Sequence, residues 1–303
     1  MGLIVLGTVA LDDVKTPSGI KKNMLGGSAA HFTMSARLFE DVHVVGVVGK
    51  DFPKVHLNFL KSKGASLSSL TVAAGDTFRW TGEYKKDDLN SAITHATHLG
   101  VLADYEPQLT EQQRKMTHVF LANLAPSVQA KLLSLIRSPE LIGLDTMNLW
   151  INTAMKELRR LIKRADIFVL NDGEARLLTG ELNTVQAARC IKAMGPQVVV
   201  VKKGEHGVYV LGSNFEFGYP AFPISKVVDP TGAGDTFAGA MFGYLTKVRR
   251  IDEKNFRKAV QYGTVLASFN VQGFGVARTA SLSLRDVEAR LKQFQQFAGL
   301  VNP

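Results

Sequence analysis

One stretch of this chain combines residue types and spacing that could do chemistry: Val227-Val228-Asp229-Pro230-Thr231-Gly232-Ala233-Gly234-Asp235-Thr236-Phe237-Ala238-Gly239-Ala240. Its small residues run directly into a helical pattern. Successive backbone N–H groups at the positive end of a helix dipole form a cradle for phosphate oxygens, and small residues let a ligand come close. Donors fixed in place before reaction stabilise the charge that builds on a transferring phosphoryl group. A carboxylate at Asp235 would repel phosphate, so its presence calls for a reason. Accepting the proton of an attacking hydroxyl is one. The bland alternative makes Asp235 a helix-start carboxylate favoured by the dipole and the glycines a simple turn.

Other candidates carry structural readings as well. Asn171 and Glu174 have the spacing of a capping box, Gly26-Gly27 suits a tight turn, and Asp51 could cap a helix. His95 and His98, three apart on a strand, face opposite sides and make a poor metal pair. A single cysteine, Cys190, leaves no internal disulfide and implies a reducing, cytoplasmic location.

The elements that must position these residues alternate along 303 residues, of which 46% are hydrophobic and 21% charged, the make-up of an ordinary soluble protein with a large core. Apolar runs at 3–6, 42–48, 118–121, 141–144, 166–170 and 198–201 read as buried parallel strands. Periodic stretches at 28–39, 53–63, 127–137, 152–164 and 184–194 read as helices on both faces of the sheet. Segments 14–25 and 78–96 are more polar, with period-two alternation in TFRWTGEY, and pair as a small separate sheet. A hairpin follows at 208–220, turning at Ser213 and Asn214. From Gly234 onward the chain is helical, with a break near Gly273 and Gly275.

The start MGLIVLGTVALDD lacks a basic flank and reads as a first strand, not a signal peptide, and no apolar run is long enough to span a membrane. Lys and Arg number 36 against 27 Asp and Glu, a net charge of +9, but they are interspersed on helical faces without a nucleic-acid-binding motif. Nucleic acid is therefore not an expected partner.

The DPTGAGDTFAGA string resembles the C-terminal signature of the ribokinase-like (PfkB) carbohydrate and nucleoside kinase family almost position for position. The resemblance extends through most of the chain in the family's order. Gly26-Gly27-Ser28-Ala29-Ala30-His31 is similar to the N-terminal diglycine signature, which implies backbone closing around a sugar. Gly7 followed by Asp12 and Asp13 matches the first strand and the acid that binds sugar hydroxyls, with Asp12 in the better register. Val48-Gly49-Lys50-Asp51 resembles the turn after the next strand. Asn171-Asp172-Gly173-Glu174 resembles the Asn-x-x-Glu motif that organises water and magnesium around phosphates. Lys202-Lys203-Gly204-Glu205-His206-Gly207 matches the strand and turn along the nucleotide. Residues 270–276, with Asn270 and Gly273, fall where relatives wrap the adenine.

What the resemblance implies is a ribokinase-like α/β three-layer sandwich, with a central mostly parallel sheet and a small β lid. Residues 1–303 would form a single kinase domain, with lid segments at about 13–25 and 76–98. The implied activity is ATP-dependent transfer of the γ-phosphate to a hydroxyl of a sugar or ribonucleoside. Asp235 would be the base, and Gly232, Ala233 and Gly234 the anion hole. Asn171, Glu174, Lys202, Gly204, Gly207, Asn270 and Gly273 would serve the nucleotide. Asp12, Gly26, Gly27 and His31 would serve the acceptor together with Asp235. Mg2+ would be held by Glu174 through water, and a potassium ion by Asp229 and Thr231; the lid would also support a homodimer.

Two departures bear on the acceptor. His31 stands where ribokinases carry an asparagine that holds sugar hydroxyls, which weakens the case for ribose. Asp145-Thr146-Met147-Asn148-Leu149-Trp150 is partly similar to the Asp-x-Asn string of ketodeoxygluconate-type relatives, but Trp150 replaces the arginine that would clamp a sugar acid. Phe78, Trp80 and Tyr84 could cover a sugar face or a nucleoside base, or simply pack their own sheet. The rival class is a catalytically idle member acting as a nucleotide or sugar sensor or an assembly subunit.

Overall fold

In the computed structural model, which describes residues 2–300, the six apolar runs lie together in one sheet. They become β1 (Gly2–Leu6), β4 (Asp41–Gly49), β8 (His118–Leu121), β9 (Leu141–Asp145), β10 (Ile167–Asn171) and β11 (Val198–Lys202). The sheet has nine strands in the order β13-β12-β11-β10-β9-β8-β1-β4-β5, completed by β5 (Ser66–Ala73) and by the hairpin of β12 (Val208–Leu211) and β13 (Glu216–Tyr219). All neighbours are parallel except β11–β12 and β12–β13, so the hairpin adds antiparallel strands at one edge. Strands buried on both faces need apolar side chains at every position, which is why these runs are continuous rather than alternating.

The two faces build two cores. Leu3 and Val5 of β1 join Phe120 on one face, under α1 (Ser28–Ala36), α8 (Ala233–Val248), α9 (Glu253–Asn270) and α11 (Leu284–Phe297). Ile4 and Leu6 join Val119 and Leu121 on the other, under α3 (Pro126–Leu135), α5 (Met155–Ile162), α6 (Asp172–Thr179) and α7 (Thr184–Ala193). The helices α1 and α8 pack backbone to backbone: a Cβ at Gly239 would collide with the carbonyl of Phe32, and one at Gly243 would lie 3.0 Å from the Ala36 backbone. Such close contact fixes the start of α8 relative to α1.

A second sheet, in the order β3-β2-β6-β7, is built from β2 (Ala10–Thr16), β3 (Gly19–Gly26), β6 (Arg79–Lys85) and β7 (Asp88–His98). It is the polar pair of segments, but it begins at Ala10, so Asp12 lies in this lid and not in the first strand. Thr77 anchors it. The Thr77 backbone N–H and hydroxyl donate to Asp51 at 2.8 and 2.6 Å, and Gly49 N–H donates to the Thr77 hydroxyl at 2.9 Å. Asp51 is therefore the lid's root and not a helix cap; α2 (Lys54–Ser62) is preceded by Pro53.

Three further expectations change. Residues 66–73 form an edge strand that the polar run SLSSLT did not suggest, because an edge strand is buried on one side only. The helix expected at 152–164 is split into α4 (Asn148–Thr153) and α5 by a break at Ala154, whose backbone leaves the helical region. The helical tail is interrupted at 249–252 as well as near Gly273, before the short α10 (Ala277–Ala280). No helix among the described residues is long and apolar enough to cross a membrane.

Candidate active site

The site forms at the carboxyl ends of β9, β10 and β11, where open parallel sheets leave a crevice for ligands. Asn171 and Lys202 are paired neighbours in the β10–β11 register, and Asp145 ends β9 beside them. The Lys202 ammonium donates to Asp145 Oδ2 at 3.1 Å, with the two side chains 17% and 5% exposed. Burial works against the charge of Lys202, but Asp145, Glu174 and Asp235 outweigh it and hold its pKa above the usual lysine value. A buried cation thus sits among three carboxylates.

Asn171 and Glu174 do form the capping box. Glu174 N–H donates to Asn171 Oδ1 and Asn171 N–H donates to Glu174 Oε2, both at 2.7 Å. Glu174 is buried, and burial followed by the charge of Asp145 lifts its pKa to about 7. The cap fixes its carboxylate at the carboxyl end of β10, near Lys202.

Gly232 ends the loop before α8 in the left-handed region, at φ +71°. A side chain there would run into the imidazole of His31, and a Cβ at Gly234 would lie 2.9 Å from the Lys202 ammonium. The loop therefore rests on these two side chains and has no room for one at Gly232 or Gly234. Among the described residues the Gly232 and Gly234 N–H groups have no acceptor, whereas Thr231 N–H is held by Asp229 and Ala233 N–H by the Pro230 carbonyl. Free amides at a helix N-terminus are the chemistry of an anion cradle. Asp235 follows in the first turn, half-buried, its pKa raised to about 7 by burial and by Asp145 against the opposing effect of Lys202.

Asp12 faces this carboxylate from the lid. It is 5% exposed, and burial raises its pKa to about 7; the Gly27 N–H opposes, and the charges of Asp229 and Asp235 add to the rise. Gly26 leaves room for it, since a Cβ at Gly26 would overlap the Asp12 carboxylate. Asp13 instead accepts from Asn23 N–H at 2.7 Å and holds the lid hairpin. Of the lid aromatics, Tyr84 is the one turned inward, 9% exposed and facing Thr231, with its pKa pushed up to about 12 by burial. Trp80 packs over Gly82 of its own strand and donates to Thr94.

Around the back of the loop, Asp229 is fully buried and accepts from Thr231 N–H at 2.9 Å and Gly275 N–H at 3.1 Å. Asn270 is equally buried and reaches His31, Thr236 and Thr231. His31 is 1% exposed, so its ring lies under the loop and not on an open wall. Gly204 and Gly207 turn the chain after β11; the Asn90 side chain of β7 presses on Gly204 and donates to Glu205. Gly273 packs on Arg278, away from these contacts.

The fold thus gathers Asp12, Gly26, Gly27, Asp229, Gly232, Gly234 and Asp235, with Lys202 and Glu174 beside them. Tyr84 was among the lid aromatics the sequence offered as a cover, whereas Asp145, read there only as part of a sugar-acid string, was not expected as the partner of Lys202. The signal for Asp145 was an acid placed directly after a buried strand run, where a side chain meets the crevice. For metals, the donors are all carboxylate oxygens, which suit Mg2+, but no three His, Cys, Asp or Glu side chains among the described residues converge to hold an ion directly. The Thr231 hydroxyl is a buried oxygen that faces Tyr84, next to the buried Asp229 carboxylate.

The model of the pfkB family carbohydrate kinases matches residues 4–282. A cytidine kinase of Thermococcus kodakarensis is 30% identical over 84% of this chain and 91% of its own. Two solved structures share the fold. The nucleoside kinase of Methanocaldococcus jannaschii, a member of the ribokinase family, has a TM-score of 0.77 at 20% identity, covering 97% of this chain and 99% of its own. The Burkholderia thailandensis nucleoside kinase in complex with inosine has a TM-score of 0.76 at 18% identity, covering 98% and 99%. Motif order, fold and matched length agree, and the chain belongs to the pfkB family of carbohydrate kinases, as a sugar or nucleoside kinase.

Proposed function

We propose that this kinase moves the γ-phosphate of ATP to a hydroxyl of a sugar or ribonucleoside with Asp235 as general base. The observation that carries the reading is a carboxylate with a pKa of about 7 in the first turn of α8, directly after the unpaired amides of Gly232 and Gly234. A base works best when its pKa lies near the working pH. Asp235 takes the acceptor's hydroxyl proton as the oxygen bonds to the γ-phosphorus and the bond to the bridging oxygen of ADP breaks. The free Gly232 and Gly234 amides receive the charge on the transferring oxygens, with the Lys202 ammonium directly beneath.

Asp12 and the Gly26-Gly27 backbone hold the acceptor from the lid side, and Tyr84 closes over it. Lid closure excludes water, which otherwise competes as acceptor. Gly204 and Gly207 lie along the nucleotide, with Asn270 and Gly273 in the segment near the base. Mg2+ would neutralise phosphate charge when bound, and the buried, capped Glu174 would hold it through water. Asp229 and Thr231, whose buried oxygens lie at the back of the loop, would hold a potassium ion. The outer strand β7 is exposed along nearly its whole length, which supports a homodimer through the lid, to be checked by sedimentation.

The test is acceptor-dependent ADP release with Mg2+, with and without K+, over cytidine, adenosine, inosine, ribose, fructose and ketodeoxygluconate. The cytidine kinase and the inosine-bound nucleoside kinase among the similar proteins support the nucleoside arm. Release that is lost about 100-fold or more in Asp235→Asn, with ATP still bound, is the expected result. Silence over the whole panel with intact ATP binding would favour the sensor reading instead.

A further inference from the structure

The anion-hole loop is clamped at both ends by one buried amide. Asn270 Nδ2 donates to the Thr231 carbonyl at 2.8 Å, while its Oδ1 accepts from the Thr236 hydroxyl at 3.1 Å. The segment between these two residues is Gly232-Ala233-Gly234-Asp235. Because Nδ2 must face a carbonyl, which can only accept, the amide has one orientation and its Oδ1 faces His31 Nδ1 at 3.1 Å. An acceptor on that side requires His31 to carry its proton on Nδ1. His31 Nε2 is then a bare lone pair, and it is buried without a partner. Burial pushes the imidazole pKa down, with Asp229 and Asn270 opposing, which favours the neutral ring.

His31 lies one turn into α1, whose first residue follows the diglycine Gly26-Gly27. Its ring also fills the space under Gly232, where even a methyl group would collide. A single side chain therefore joins the helix that carries the acceptor-side backbone to the loop that carries the anion hole and base. An in-line transfer is sensitive to misplacement of the reacting atoms by about 1 Å.

We propose that His31 is a positioning residue for phosphoryl transfer, its Nδ1–H holding the Asn270 clamp so that the anion hole stays in register with α1. The proposal rests on the kinase reading and assigns His31 no contact with the acceptor. It is tested with His31→Ala, His31→Asn, Asn270→Ala and the double variant, on the best acceptor of the panel. The expected result for His31→Ala is a kcat lowered roughly 10–100-fold with both KM values within about threefold. His31→Asn, which keeps a donor, recovers part of the loss. The His31→Ala/Asn270→Ala double variant is no slower than the worse single, as members of one unit behave.

An unchanged kcat with a raised acceptor KM would make His31 a direct acceptor ligand and overturn the proposal, as would additive effects in the double variant. Ring 15N spectra of the wild-type protein give an arm that needs neither turnover nor a folded variant. Protonation at Nδ1 with a free Nε2 is expected, and an Nε2–H tautomer sinks the clamp. A wild type silent on every acceptor would overturn the kinase reading, while the spectra still decide the tautomer.

Discussion

At the residue scale, Asp235 is held between opposing influences, with burial and Asp145 raising its pKa and Lys202 lowering it. A general base must be deprotonated, so kcat/KM is expected to fall as pH drops through about 7. Removing the cation with Lys202→Met takes away the lowering influence and should shift the acid limb of the pH–rate profile to higher pH. It should also cost roughly 10–100-fold in kcat through loss of charge under the anion hole. Asp145→Asn should shift the same limb to lower pH. A profile that is unmoved in both variants would mean that the limb belongs to another group. The motif made Asp235 and its glycines legible from sequence alone, because a phosphate cradle has to be written in consecutive residues. Asp145 was not legible in that way. Its partner Lys202 is 57 residues away, and nothing local to either signals the ion pair.

At the element scale, the distance between α1 and α8 is set by Gly239 and Gly243. Gly239→Val forces a branched side chain against the Phe32 carbonyl and should destabilise the fold by about 1–3 kcal/mol or more, read as a lower thermal midpoint. The lid depends on a smaller device, the Asp51 carboxylate that binds Thr77 and Arg79. Asp51→Ala should loosen the lid root and raise the acceptor KM several-fold, with a smaller effect on kcat, on the order expected for lost orientation by a few hydrogen bonds. If acceptor KM and kcat both stay at wild-type values, Asp51 only caps the turn. Strands with two buried faces were legible because every position must be apolar. The edge strand β5 and the break at Ala154 were not, since one is half polar and the other is imposed by neighbours.

At the scale of the whole molecule, Asp12, Glu174 and Asp235 each have a folded pKa raised to about 7. Unfolded carboxylates titrate near about 4. The folded state therefore binds more protons between these values, and the stabilisation from that excess is complete below about 4 and lost as pH rises through about 7. Asp235→Asn should accordingly raise the thermal midpoint by a few degrees, about 2–5 °C, at a pH near 8, and this gain should vanish toward about pH 4. A pH-independent difference would mean that Asp235 is not held at a cost. The layered α/β fold, the lid as a separate small sheet and the phosphate-binding string were all determined by the sequence itself, since periodicity and consecutive small residues are local properties. The register of the first acids already favoured Asp12 over Asp13, but only the tertiary structure decided that Lys202 pairs with Asp145 and that His31 lies beneath Gly232 on the Asn270 clamp. Each of these depends on which surfaces meet when distant segments pack, and hydrogen bonds between residues 57 or 239 positions apart leave no periodic trace in the chain that makes them.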